Sequence, residues 1–308
     1  MQFSDFYYPS STGCNTIHAR KLIPDGKITG VIQIAHGIRE HIARYDAFMA
    51  YLSSHGFVVC GNDHLGHGKS VRSPSETGFF AEKDGWNRVV DDMLSLHDNM
   101  KAEFPTVPYI LFGHSMGSFL ARTYMIDHPD AYDLCILSGT AHQNSLLLKG
   151  GKLLTELTVL VKGADGDGTQ LESLVFKDYN AHIEQPKTDY DWLSRDDSYV
   201  ATYVNDEMCG IPCKNSVYRD MLQGLNIITN SKNIGKMNPE HPVLFISGTE
   251  DPVGDYGKGV RKAYEAFSKA GLTDLTIKLY PGARHGMLNE TNRTEVYKDI
   301  SDWIEARI

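Results

Sequence analysis

Val107-Pro108-Tyr109-Ile110-Leu111-Phe112-Gly113-His114-Ser115-Met116-Gly117 starts as a β-favouring apolar run and breaks at Gly113. Beyond the break, Phe119, Leu120, Tyr124 and Met125 recur at helical spacing until Pro129 stops the helix. Strand, tight turn and helix form the context in which the pattern G-x-S-x-G exposes a serine at the edge of a sheet. A turn this sharp forces Ser115 into a strained conformation and leaves no room for side chains at Gly113 and Gly117. With 28 glycines in 308 residues, the five-residue pattern alone arises by chance in roughly one such chain in six. The flanking elements therefore carry the inference.

Working outward, a chain of this length can bury a large core, as one enlarged domain or as a domain with an insertion. Hydrophobic residues at 41% and charged residues at 22% fit a globular fold. The net charge of −9 offers no basic excess to neutralise a phosphate backbone, which argues against nucleic-acid binding. Met1-Gln2-Phe3-Ser4-Asp5 has neither a basic nor an apolar leader segment, and no apolar run is long enough to span a bilayer. A cytoplasmic location is the default expectation. The five cysteines, Cys14, Cys60, Cys135, Cys209 and Cys213, are dispersed and odd in number, which suits a reducing compartment. Cys209 and Cys213 lack the C-x-x-C spacing and second ligand pair of a metal or redox motif.

The order of elements is that of an α/β protein. Phe3 to Tyr8 and Asn15 to Leu22 read as an opening hairpin, and Val31 to Ile34 as a strand ending at His36-Gly37. A helical pattern runs from His41 to His55, a buried strand from Phe57 to Cys60, and a helix from Trp86 to Phe104 that closes at Pro105. After the Ser115 turn and its helix come strands at Leu134 to Leu137, Val243 to Ile246 and Leu272 to Tyr280, then a helix from Glu295 to Ile308. Such alternation predicts a mostly parallel sheet covered by helices on both faces, with functional loops at the carboxyl ends of the strands. Residues 140–225 fit no β-α unit and read as an inserted helical cap, or lid, on a core made of 1–139 and 226–308.

A serine hydroxyl is a weak nucleophile until a base takes its proton, and the base needs a carboxylate to orient it and stabilise its cation. In the chain order Ser, Asp, His, the acid follows a late strand and the histidine precedes the last helix. Asp251, in Gly248-Thr249-Glu250-Asp251-Pro252, and His285, in Gly282-Ala283-Arg284-His285-Gly286, occupy those positions, with Glu250 and Asp255 as alternative acids in the same loop. Acyl transfer also needs two N–H donors for the developing oxyanion. Met116 supplies one from the turn, and Ile38, in the loop after the strand ending at His36, is the candidate for the other. His36, paired with His41, or His64 with His67, is open to a metal reading, but no acidic or thiol partners complete a metal geometry, so turn structure is the expectation and neither metal nor organic cofactor is expected.

His36-Gly37-Ile38-Arg39-Glu40-His41, Arg44-Tyr45, Asp63-His64-Leu65-Gly66-His67-Gly68-Lys69-Ser70, Gly113 to Gly117 and Gly248 to Gly254 together resemble the α/β-hydrolase subgroup of monoacylglycerol lipases and bacterial lysophospholipases. The resemblance covers nearly the whole core and implies an α/β-hydrolase fold, Ser115 as nucleophile, Asp251 and His285 as its partners, and Ile38 and Met116 as oxyanion donors. Where animal relatives read H-G-A-G-E-H, Ile38 and Arg39 replace small residues, which is expected to narrow or charge the pocket mouth.

A serine ester hydrolase forming an acyl-enzyme on monoacylglycerols, lysophospholipids or similar esters is therefore the expected function. Leu154 and Leu157, with Leu146, Leu147, Leu153 and Val161, are expected to cover an acyl site or to touch a membrane surface transiently between Lys149, Lys152 and Lys162. A proline iminopeptidase on the same scaffold would need a cap carboxylate, for which Glu156, Glu172, Glu184 and Glu207 are available. A non-catalytic small-molecule receptor is the remaining rival. Oligomeric state has no signature in the sequence.

Overall fold

The computed structural model describes residues 2–308. Its strands are β1 (Phe3–Pro9), β2 (Thr16–Leu22), β3 (Gly30–Ala35), β4 (Phe57–Asn62), β5 (Tyr109–His114), β6 (Leu134–Ser138), β7 (Val243–Gly248) and β8 (Leu275–Tyr280). They form one sheet in the order β1-β2-β4-β3-β5-β6-β7-β8. β1 and β2 pair antiparallel, as do β2 and β4, and every pairing from β4 through β3 to β8 is parallel. The strand order reverses around β3, and the loops at the carboxyl ends of β3, β5, β6, β7 and β8 share one edge of the sheet, where α/β folds build their sites.

Strand pleating sorts the central residues between two apolar layers. Tyr109 and Leu111 join one cluster, with α2 (Gly85–Glu103), α3 (Met116–Asp127) and α9 (Lys258–Lys269) packed over it. Ile110 and Phe112 join the other, under α1 (Asp46–Ser54) and α10 (Arg293–Glu305). Because both faces are covered, β3, β4, β5, β6 and β7 are buried along their whole length, which explains their near-continuous apolar sequences. α2 and α3 stop just short of Pro105 and Pro129, where a following proline disfavours helical geometry.

Two differences from the sequence reading concern helices. The span from His41 to His55 is split into a 3-10 turn, Ile42–Tyr45, and α1. α9 lies where the sequence reading places no element, and it buries Val260, Ala263 and Phe267 along one stripe. Between β6 and β7 the chain makes a long crossover containing α4 (Ser145–Lys162), α5 (Thr169–Phe176), α6 (Asp197–Val204), α7 (Asn215–Thr229) and α8 (Ser231–Ile234). The expected return to the core at 226 falls inside α7, which packs against α2 and α3 as well as against α4.

Arg122 of α3 ties the start of this crossover to the end of α7. Its fully buried guanidinium donates to the Ala141 carbonyl at 2.7 Å, just after β6, and to the Ile228 carbonyl at 2.9 Å, in the last turn of α7. No acidic side chain pairs with it among the described residues, and burial pushes its pKa down to about 9.

The loop after β4 is held by Asp63. Its carboxylate accepts from the N–H groups of Ile42 and Lys69, both at 2.8 Å, and contacts His18 Nδ1 at 2.8 Å. A side chain at Gly68, whose φ is 49°, would sit 2.4 Å from that carboxylate, so the glycine is required. Burial alone would raise the pKa of Asp63, but the bond with His18, the neighbouring His36 and the Ile42 N–H bring it below the usual range. Its contribution is therefore fully present well above the ordinary value of 3.8 and is lost as pH falls through the lower folded-state value. Asp63→Ala is expected to cost about 3–5 kcal/mol near neutral pH. Urea unfolding of both proteins from pH 7 down to pH 3 checks this, with the gap between them closing at the acid end.

Candidate active site

At the end of β5 the chain turns so tightly that Ser115 adopts φ 54° and ψ −123°. A Cβ on Gly113 would meet the Gly117 carbonyl oxygen at 2.5 Å, and one on Gly117 would meet the Ala35 carbonyl oxygen at 2.0 Å. Neither position can carry a side chain. The turn is pinned to the next strand by the Ser115 N–H, which donates to the Ser138 carbonyl at 2.9 Å. Ser115 remains partly exposed, whereas Asp251 and His285 are buried.

His285 Nδ1 lies 2.9 Å from Asp251 Oδ1. Asp251 also accepts from the Ser247 hydroxyl at 2.8 Å and the Val253 N–H at 2.9 Å. Burial opposes its charge, but His285, Ser247 and the Val253 N–H hold its pKa below the ordinary carboxylate value. An ionised Asp251 can only accept, so Nδ1 carries the proton and Nε2 presents its lone pair. Nε2 is buried without a hydrogen-bond partner among the described residues. It is free to take a proton from a hydroxyl brought against it. The alternative acids Glu250 and Asp255 are both exposed in the same loop.

The His285 loop is cradled by the segment from Asp191 to Ser194, for which the sequence indicates no role. The Trp192 carbonyl accepts from the His285 N–H at 3.3 Å, the Leu193 carbonyl accepts from the Gly286 N–H at 2.6 Å, and the Trp192 ring lies 5.1 Å from the imidazole. Gly139, at the end of β6, has φ 60° and would place a Cβ 2.7 Å from the imidazole Cε1. Ser247 and Gly139 escape the sequence reading; a glycine just past a strand on the functional edge is a local signal, whereas nothing in the sequence distinguishes Ser247 from any strand-terminal serine. His114, 4.7 Å from His285 between ring centres, is pushed down to about 4 by burial and by that neighbour. It is neutral at pH 7.

The remaining predicted positions converge on the same edge. Met116 opens α3, so its N–H has no intrahelical acceptor, and the Ile38 N–H has none among the described residues. A Cβ on Gly37 would come within 3.2 Å of the Ser115 Cβ, which shows how closely the loop after β3 approaches the serine. Ile38, Ser115 and Met116 all line a cavity of about 520 Å³ whose walls include Leu147, Leu154, Leu171, Phe176, Leu225 and Val253. Leu157 does not line it and is half exposed. On the other side of Ser115 and His285 is a narrow pocket with polar walls from Arg39, Glu40, His114, Tyr190, Tyr199 and Tyr203.

Of the histidines open to a metal reading, His36, His64 and His67 have structural partners. His36 Nε2 accepts from the His64 N–H at 3.0 Å, and burial pushes His36 and His67 down and His64 to about 3. His41 differs from the sequence expectation, since it meets an acid and a thiol across the crossover: Nε2 lies 2.8 Å from Asp206, and the ligand atoms of His41, Asp206 and Cys209 fall within 4.8 Å of one another. Arg44 stands 3.7 Å from the Cys209 sulfur and 4.0 Å from Asp206, so the cluster already contains a cation.

Among the described residues, no helix is long and apolar enough to cross a membrane. The model of the serine aminopeptidase S33 family matches residues 26–292. A monoglyceride lipase homolog of Monkeypox virus is 27% identical over 280 residues, covering 90% of each chain. The monoacylglycerol lipase of Mycolicibacterium smegmatis is 27% identical over 299 residues, covering 92% of this chain and 91% of its own. The solved structure of a highly thermostable carboxyl esterase from Bacillus coagulans, in complex with glycerol, superposes with a TM-score of 0.93 at 31% identity, over 100% of this chain and 99% of that one. With its sheet order, its strained serine turn and a family match over most of its length, the chain belongs to the serine aminopeptidase S33 family of α/β-hydrolases and is similar to their monoacylglycerol lipases.

Proposed function

We propose that this carboxylic ester hydrolase cleaves esters of a long acyl chain with a small hydroxylated alcohol, monoacylglycerols and lysophospholipids being the substrate class. The observation that carries the reading is the position of Ser115 between a large apolar cavity and a narrow polar pocket, beside an imidazole with a free Nε2. An ester carbonyl at Ser115 puts its acyl chain among the leucines and its alcohol against Glu40 and the tyrosines. Ser115 attacks, His285 takes its proton and later delivers it to the leaving alcohol, and Asp251 keeps the imidazole in register and stabilises its cation. The Ile38 and Met116 N–H groups hold the oxyanion. Water then repeats the sequence on the acyl-enzyme. The similar Bacillus coagulans esterase was solved in complex with glycerol, a small polyol of the class proposed here as the alcohol.

In this reading residues 140–225 of the β6–β7 crossover form a cap over the acyl site. Each methylene buried there contributes about 0.8 kcal/mol of binding, so kcat/KM should rise with acyl length until the cavity is full. Leu154→Asp is expected to depress activity on decanoate esters far more than on acetate esters, and Leu157→Asp to have the smaller effect. Steady-state kinetics on a p-nitrophenyl ester series checks both. Leu146, Leu153, Leu160 and Val161 project from α4 beside Lys149, Lys152 and Lys162, a face suited to transient contact with an anionic lipid surface.

The peptidase reading requires a cap carboxylate aimed at a free amino terminus. Glu172 is committed to Arg39 and Tyr218, Glu156 pairs with Lys152, Glu184 and Glu207 are exposed, and none of the four lines either pocket. One panel tests the assignment: monoacylglycerols and lysophospholipids, dispersed and in vesicles, against aminoacyl-arylamides. Faster turnover of the arylamides would overturn it.

A further inference from the structure

We propose that Arg39 is a positioning residue that couples seating of the cap to alignment of the Ile38 N–H, so that the oxyanion site is complete only when the cap is docked. This rests on the assignment of Ser115 and of the Ile38 donor made above. Arg39 has φ 61°, a left-handed conformation that residues with side chains rarely adopt and that persists only where the surroundings over-determine it. Those surroundings belong to the cap. One guanidinium nitrogen pairs with Glu172 of α5 at 2.7 Å. A second donates to the Tyr190 hydroxyl at 2.9 Å and to the Gly210 carbonyl, and Nε donates to the Ile211 carbonyl at 3.1 Å. The Arg39 carbonyl accepts from the Gly210 N–H at 2.9 Å and the Tyr203 hydroxyl at 3.0 Å. One residue thus grips four separate stretches of the crossover with both its backbone and its side chain.

The other flank of the donor is held by the core. The Gly37 N–H donates to Glu40 Oε1 at 2.6 Å, and the same oxygen accepts from the Tyr45 hydroxyl at 2.7 Å. The Ile38 peptide N–H therefore sits between a residue fixed by the core and a residue fixed by the cap. An oxyanion donor acts through its direction, and losing one outright costs about 10²–10³ in kcat. Loosening the cap-side anchor lets the donor wander without deleting it, with an expected loss of about tenfold. A residue that merely glued the cap in place would affect binding of long acyl chains and thermal stability, and would leave the chemistry on a minimal substrate unchanged.

Arg39→Gly and Glu172→Gln separate these roles. Glycine accepts the left-handed backbone and removes the guanidinium; the glutamine weakens the anchor from the cap side without touching the loop. The readouts are kcat and KM on p-nitrophenyl acetate, which needs none of the apolar cavity, and the affinity of phenylboronic acid, whose tetrahedral serine adduct places an oxygen where the oxyanion sits. In Arg39→Gly, kcat should fall about tenfold or more with KM within about twofold, and boronate affinity should fall in parallel; Glu172→Gln should show about a threefold loss of the same kind. Acetate turnover at the wild-type kcat in both variants overturns the proposal, as does a loss confined to the KM of decanoate esters. If Arg39→Gly does not fold, Glu172→Gln decides on the same criterion. Ser115→Ala, assayed alongside, distinguishes the two levels: continued acetate turnover by that variant refutes the site itself, whereas an inactive Ser115→Ala beside fully active Arg39→Gly and Glu172→Gln refutes only the coupling.

Discussion

Ser115→Ala is expected to abolish ester hydrolysis and fluorophosphonate labelling while the protein stays folded. The hydroxyl is the group that the strained turn presents between the two pockets, close to the free Nε2 of His285. Loss of the nucleophile in comparable triads lowers kcat by about 10⁶, or roughly 8 kcal/mol of barrier. Alanine lacks the hydroxyl but keeps the Cβ, so circular dichroism and melting temperature should change little. Labelling of Ser115→Ala at the wild-type rate would place the nucleophile elsewhere.

Asp251→Asn is expected to cost about 10⁴ in kcat, close to 5 kcal/mol of barrier. The amide can offer its NH₂ to His285 Nδ1, which stabilises the wrong tautomer and leaves Nε2 protonated. It also cannot balance the imidazolium that forms as Ser115 attacks. Ser247 would still donate to the remaining oxygen, whereas the Val253 N–H, which shares Oδ1 with His285, would face the NH₂ and lose its acceptor, so a modest loss of stability should accompany the chemical defect. Asp255→Asn, at an exposed position in the same loop, is the matched control and should be nearly silent. Stopped-flow and steady-state rates on one short ester suffice for both, and a more damaging Asp255→Asn would transfer the role.

The sheet was legible because its strands are buried on both faces and end at glycine or polar turns, so short apolar runs stand out without alternation. α9 was not, because Val260, Ala263 and Phe267 are separated by lysine, arginine and glutamate in a segment that reads as an extension of the preceding loop. The positions of Ser115, Asp251 and His285 could be read because each follows a strand end on one edge, and topology brings such loops together. What supports them could not. Ser247 and Trp192 act through contacts that carry no periodicity, and the grip of Arg39 joins residue 39 to 172, 190 and 210, pairings no local pattern encodes. Leu154 and Leu157 differ for a simpler reason: they lie on nearly the same helical face, but the cavity ends within the turn of helix between them.

Arg122 bears on how separable the parts of this molecule are. Among the described residues no carboxylate pairs with its guanidinium, which donates instead to the Ala141 carbonyl just after β6 and to the Ile228 carbonyl at the end of α7. A deletion running from Ala141 through α7 would strip both carbonyls and strand a guanidinium in an apolar interior, a penalty of several kcal/mol set against a total stability of about 5–15. The crossover is thus tied to α3 at two points along its length. Replacing it by recombination requires a donor segment that brings its own pair of acceptors to Arg122.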